Sequence, residues 1–167
     1  MVYISLTDSK TWIAAHIKST ERIGWDALDD AAKTICLQEA EDRIDSLPLR
    51  GQRYEDFYFY NGAQKDINGD GLTQIQEFPR VIDGVTCDWD HGTSLPIVPH
   101  AVKNAVCWEA VVIASGSSRR VLQEQGVQSF SIGGKLSETF RAGAGTEGLI
   151  SAQARRYMRK FVGAELR

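Results

Sequence analysis

Along this chain, apolar residues recur mostly at helical spacing and in one stretch at strand spacing. Near the N-terminus, Trp12, Ile13, His16 and Ile17 fall on one side of a segment that Thr7-Asp8 can cap, which predicts a short helix ending at about Ile17. Asp26 is a second candidate cap. From there Leu28, Ala32, Cys36, Ala40, Ile44 and Leu47 recur every three or four residues, while Asp29, Asp30, Lys33, Glu41 and Asp42 fall elsewhere. That pattern predicts an amphipathic helix stopped by Pro48 and Gly51. Residues 50–96 lose the period. They are aromatic, then Gly/Asp-rich, and broken by Pro79 and Pro96, so mostly irregular structure is expected. Pro99 then sits where a helix can begin, and Ala101 to Ser115 is nearly all apolar, which predicts a central buried helix.

After Gly116 the period changes to two. In residues 126–140, Phe130 and Ile132 alternate with serines, Gly133-Gly134 follows, and Leu136, Glu138 and Phe140 alternate with polar neighbours. A glycine pair between two alternating runs predicts a β-hairpin. Residues 142–148, AGAGTEG, read as a flexible linker. The chain closes on a basic amphipathic helix, with Ile150, Ala154, Tyr157, Met158 and Phe161 on one side and Arg155, Arg156, Arg159 and Lys160 on the other. The expected organisation is a helical core over 1–125 carrying the excursion 50–96, a hairpin over 126–141, and a linker with a helical arm over 142–167. The fold class is therefore mainly α, a small bundle with a projecting hairpin and a C-terminal arm.

Composition narrows this little: 43% hydrophobic and 25% charged residues are ordinary for a globular protein. The longest apolar run, Ala110 to Ala114, is too short to span a membrane, and the N-terminus lacks the basic-then-apolar pattern of a secretory signal. Cys36, Cys87 and Cys107 are odd in number and widely spaced, which argues for reduced thiols rather than a disulfide framework. A net charge of −3 does not suit a general nucleic-acid binder. The charge is uneven: residues 1–48 hold five Lys/Arg against nine Asp/Glu, whereas 150–167 hold five against one. Head-to-tail contact between neighbours would use that asymmetry, and so would two independently solvated helix faces.

The sharpest motif is DINGDGLTQIQE at 66–77. A Ca²⁺ loop needs oxygen ligands at positions 1, 3 and 5, glycine at 6, a carbonyl at 7 and a bidentate Glu at 12. Asp66, Asn68, Asp70, Gly71, Leu72 and Glu77 occupy them, with Gln74 at the ninth position. The flanks are less regular, since Asn61-Gly62 and Pro79 interrupt the usual helices, Thr73 stands at the normally apolar eighth position, and no second loop is present. A lone Ca²⁺ loop that stiffens the excursion is expected, against the plainer alternative of an Asp/Asn/Gly turn.

Other constellations carry less. CDWDHG at 87–92 lacks further ligands at zinc spacing, and His16 and His100 are isolated. Glu109 within the apolar helix reads as an exposed carboxylate for want of a partner. No nucleophile elbow, zinc-protease, Walker or dinucleotide motif occurs, so no enzyme is expected. Tyr54, Phe57, Tyr58, Phe59 and Tyr60 follow Arg50 and Arg53. Single-strand nucleic-acid platforms and protein interfaces both use this composition, and the nearby Glu55 and Asp56 favour the protein interface.

In order, VYISLTDSKTWIAA, AEDRIDSL, EFPR at 77–80, VPHAVKNAVCWEA, GVQSFSIGGKLSETF and ISAQARRYMRKF resemble a family of tailed-phage neck proteins, also labelled DnaT-like after a primosomal single-strand-DNA-binding protein. The resemblance spans almost the whole chain. It implies a head–tail adaptor in the virion neck, assembled in the host cytoplasm as a ring of twelve copies. Such a ring binds the portal protein, receives a stopper or tail-completion protein, and meets genomic DNA only as cargo in its channel. Carried over, the portal-binding residues are Ile150, Arg155, Arg156, Tyr157, Met158, Arg159 and Phe161. Phe130, Ile132, Gly133, Gly134 and Leu136 form the inter-subunit hairpin. The calcium-type loop is a departure from the family pattern, and the other label implies a single-stranded-DNA-binding replication protein.

Overall fold

A computed structural model describes residues 2–55, 76–90, 95–116, 129–132, 136–139 and 149–163. Among these the fold is mainly α. Helix α1 spans Leu6–His16, α2 Ile23–Asp26, α3 Asp30–Asp45, α4 His100–Ala114 and α5 Ala152–Met158. The first cap is Ser5, not Thr7-Asp8. Its hydroxyl accepts the Asp8 N–H at 3.1 Å and donates to the Asp8 carboxylate at 2.6 Å, a reciprocal cap that starts the helix two residues early.

The helix expected from Asp26 to Leu47 begins later, at Asp30, and a short separate helix, α2, precedes it. Asp26 ends α2, where it pairs with Arg22, and Asp29 opens α3 by accepting the Ala32 N–H at 2.8 Å. Gly24 lets α2 lie against the end of α4, because a side chain there would lie 2.7 Å from the Ala114 carbonyl and from Ser115 Cα. The apolar stripe of α3 behaves as its spacing requires: Cys36, Ala40 and Ile44 are buried and Leu28 is partly so, while the flanking Ile35 is exposed.

Helix α4 is the centre of the described core, and α1, α2, α3 and α5 all pack against it. It buries Val102, Ala105, Val106, Cys107, Glu109, Ala110, Val111 and Ile113. Each fully buried valine or isoleucine there contributes about 1.5–3 kcal/mol relative to exposure. The helix stops at Gly116, whose φ of +52° turns the chain and lets its N–H reach the Ile113 carbonyl.

The stretch from 50 to 96, expected to be mostly irregular, contains short antiparallel strands in its described part. Strands β1 (Gln52–Arg53), β2 (Arg80–Ile82) and β3 (Val85–Thr86) make one sheet, with Val81 opposite both Gln52 and Thr86. Asp83-Gly84, both at positive φ, turn β2 into β3. Strands β4 (Trp89–Asp90) and β5 (Leu95–Pro96) pair separately. The hairpin is present as β6 (Ser129–Ile132) and β7 (Leu136–Thr139), a two-stranded sheet in which Ser129 faces Thr139 and Ile132 faces Leu136.

The expected C-terminal arm packs against the helical core. Leu149, Ala154, Met158, Phe161 and Val162 belong to the same buried cluster as α3 and α4. The closing helix is therefore part of the helical core, because its apolar stripe finds the face of α4. Among the described residues no helix is long and apolar enough to cross a membrane.

Candidate functional site

The closing segment, residues 149–163, is held at three points, each made by a different chemistry. At its start, Glu109 of α4 is fully buried and both its carboxylate oxygens accept backbone N–H groups, from Ile150 at 2.9 Å and Ser151 at 2.8 Å. Ser151 in turn caps α5 by accepting the Ala154 N–H at 3.2 Å. The guanidinium of Arg43 on α3 stands 4.0 Å from Glu109 and also pairs with Glu39. A buried carboxylate is tolerable here because it is bonded twice and faces a cation.

The far end of the segment is tied by its backbone. Arg50 N–H donates to the Phe161 carbonyl at 2.8 Å, Gly163 N–H donates to Pro48 at 2.9 Å, and Leu49 bridges Val162. The third point is aromatic. Phe161 meets Phe78 edge to face at 5.2 Å, and Phe78 meets Tyr3 the same way at 5.9 Å.

Phe78 belongs to the EFPR element, and the structure gives each of those four residues a use. Phe78 and Pro79 are buried and joined by a cis peptide bond. Arg80, only 6% exposed, donates to the carbonyls of Arg50 at 2.9 Å, Gly51 at 2.6 Å and Leu49 at 3.4 Å. Its remaining nitrogen pairs with Glu77. The guanidinium thus fixes the strand that receives the closing segment. Gly51 approaches β2 so closely, at φ +75°, that a Cβ would collide with the Val81 carbonyl.

A second polar cluster sits at the other end of this joint. Tyr3 N–H donates to Glu41 at 2.8 Å, Tyr3 O–H donates to Asp45, and the Tyr3 oxygen accepts the Phe78 N–H at 3.2 Å. Burial pushes the Glu41 carboxyl up to about 7, against the N–H bonds from Tyr3 and Ile4, with Asp45 and Asp42 adding to the rise. Burial likewise raises Asp45 and, more strongly, the Tyr3 hydroxyl.

The residues expected to meet a partner divide accordingly. Met158 and Phe161 are core residues in this conformation, and Tyr157 and Ile150 are partly buried. Arg155, Arg156, Arg159 and Lys160 are exposed, and among the described residues no carboxylate pairs with them. Of the hairpin positions, Phe130, Ile132 and Leu136 lie on β6 and β7, whereas Gly133 and Gly134 lie outside the described residues. Of the calcium-type loop, Asp66, Asn68, Asp70, Leu72 and Gln74 lie outside the described residues, and Glu77 is engaged by Arg80. Among the described residues no group of three or more His, Cys, Asp or Glu side chains is placed to hold a metal. Burial pushes the Cys107 thiol up to about 12 and also raises Cys87, so neither is an activated nucleophile.

Glu109, expected on an exposed face, is fully buried. Its signal was periodic: Val102, Val106, Glu109 and Ile113 are spaced four, three and four, which puts the charge on the buried face. Glu41 carries the same mark between Leu37 and Ile44. Comparison with protein-family models, with curated proteins and with solved structures gave no match.

Proposed function

We propose that this protein is a non-enzymatic assembly protein of a tailed phage, a head–tail adaptor that forms a ring on the portal and passes the DNA channel on to the stopper or tail. The observation that carries the reading is a correspondence between motif and joint. Ser5 and Asp8 of the opening motif cap α1, Phe78 and Arg80 of EFPR staple the two ends of the chain, and Glu109 of the VPHAVKNAVCWEA segment anchors α5. The paired strands β6 and β7 form a sheet of their own and supply the element for contact between subunits. The portal-facing surface is the exposed side of α5, with Arg155, Arg156 and Arg159 at its centre.

The calcium-type loop is proposed as an addition of this chain that stiffens the segment leading into Glu77. A cation held there competes with Arg80 for the Glu77 carboxylate. One observation favours a second reading. The cationic side of α5 has no carboxylate partner among the described residues, which also suits a single-stranded-DNA-binding replication protein. Quantitative mass spectrometry of purified virions separates the two. Amounts near those of the portal protein are expected of an adaptor. Absence from particles, together with abundance in infected cells, overturns the adaptor reading in favour of the second.

A further inference from the structure

We propose that the N-terminal segment, residues 2–5, and the end of the closing segment, residues 158–163, open as one cooperative unit pinned on Phe78. Three aromatic rings stand in a row, Tyr3 edge to face on Phe78 at 5.9 Å and Phe78 edge to face on Phe161 at 5.2 Å. None of the three is more than 2% exposed. Tyr3 holds the pin from the N-terminal side. Its N–H and O–H donate to Glu41 and Asp45 on α3, and its hydroxyl oxygen accepts the Phe78 N–H at 3.2 Å. Withdrawing residues 2–5 therefore removes a ring packed on Phe78 and strips an acceptor from its N–H, which belongs to a buried residue.

From the C-terminal side the same element is met twice. The Phe161 ring packs on Phe78, while the Phe161 carbonyl accepts the Arg50 N–H and Val162 bridges Leu49. That receiving strand is itself held by Arg80, two residues on from Phe78, through the carbonyls of Leu49, Arg50 and Gly51. The start of the closing segment keeps a separate anchor in Glu109, so the shared unit is the end from Met158 to Gly163. Coupling through a shared pin is reciprocal: displacing residues 2–5 loosens Phe161 and Val162, and lifting Phe161 loosens Tyr3. The N-terminal segment thereby controls access to the apolar side of the closing turn. The unit is independent of the neck reading, because it concerns the free chain and requires no partner.

The test is native-state hydrogen exchange of the full wild-type chain in a series of sub-denaturing urea concentrations. Four hydrogen-bonded amides report on the unit: Tyr3 and Phe78 on one side, Phe161 and Gly163 on the other. They are expected to share one opening free energy and one urea slope, both below those of the central amides of α4. Separate openings for the two pairs, or exchange of all four only with α4, overturns the proposal. A second measurement uses Tyr3→Phe, which keeps the ring and removes the hydroxyl with its two hydrogen bonds. Exchange of the Phe161 and Gly163 amides is expected to accelerate at least about fivefold in that variant, although neither residue touches the deleted group. Unchanged rates at Phe161 and Gly163 mean that the closing turn opens without the N-terminal segment, and they overturn the proposal.

Discussion

The most exacting consequence of the structure concerns Glu109. Replacing it with alanine leaves the Ile150 and Ser151 N–H groups without their acceptors, at about 1–3 kcal/mol each. It also leaves the Arg43 guanidinium facing an empty site 4.0 Å away. Removing one partner of a buried charged arrangement typically costs about 3–5 kcal/mol, and the same range is expected here. Glutamine keeps the shape and one acceptor but presents an N–H₂ to one of the two donors, so Glu109→Gln is expected to cost about 2 kcal/mol. Against a total stability of about 5–15 kcal/mol, both changes are large.

Urea unfolding followed by tryptophan fluorescence measures this directly. With a slope of about 2 kcal/mol per molar urea, Glu109→Gln moves the midpoint down by about 1 M. The loss should also be local. Trypsin cleavage after Arg155, Arg156 and Arg159 is expected to accelerate in Glu109→Gln before the core of α4 loses protection, because the anchor holds the start of α5. A midpoint within about 0.2 M of wild type, with unchanged cleavage rates, would show that Glu109 does not anchor the closing segment.

Four other outcomes follow from the same geometry. Gly51→Ala combines a positive φ with a collision at the Val81 carbonyl and is expected to cost about 1–3 kcal/mol by calorimetry; an unchanged melting temperature refutes the close approach. The Glu41 carboxyl titrates at about 7 in the folded chain against an ordinary 4.5, so its stabilising contribution is complete below about pH 4.5 and lost as pH rises through about 7. The gap is worth about 3 kcal/mol, and urea midpoints of wild type and Glu41→Gln should converge at low pH and part in slope above it. Calcium at a hundredfold excess over its dissociation constant is expected to raise stability by about 2.7 kcal/mol, and Asp66→Asn with Asp70→Asn should abolish the effect; equal melting with calcium and with chelator rejects the loop as a site. Arg155→Glu with Arg156→Glu should leave folding within about 0.5 kcal/mol while weakening capture by the portal protein, whereas Met158→Ala should do the reverse; the opposite pattern means that α5 binds undocked.

The helices were legible wherever a single period ran long enough. Cys36, Ala40 and Ile44 announced α3, and Pro99 announced the start of α4. The starts of α1 and α3 were misplaced because several Ser, Thr and Asp residues stand together. Only the geometry of Ser5 and Asp29 shows which oxygen reaches an N–H two or three residues on. Short strands such as Gln52–Arg53 and Val85–Thr86 carry too few residues for alternation to register, and their pairing depends on Arg80 and Gly51, which no local pattern links. Glu41 and Glu109 were hidden by a rule of thumb that sends carboxylates to the surface, though both sit in phase with buried neighbours. Their partners, Tyr3 and the Ile150–Ser151 backbone, lie 38 to 42 residues away, which is why periodicity marks the position and cannot name the contact.

The docking of α5 changes how charge can be used in any assembly. By count, residues 1–48 are an acidic front, yet Lys10 pairs with Asp30, Arg22 with Asp26 and Arg43 with Glu39, while Glu41 and Asp45 face Tyr3. Asp8, Glu21, Asp29 and Asp42 make no salt bridge among the described residues, so the front keeps part of its negative charge. The basic end itself keeps its charge, because Arg155, Arg156, Arg159 and Lys160 are exposed on a helix whose opposite side is committed to the core. Freeing that helix would expose Met158 and Phe161, at about 1.5–3 kcal/mol each, and break the two bonds to Glu109, a further 2–6 kcal/mol or so. A partner that needed the released arm would have to supply a differential of about 5 kcal/mol or more before gaining any affinity. A partner that meets the cationic side as it stands supplies none of that. The energetics therefore favour contact through the exposed arginines of a docked α5, with an acidic surface opposite.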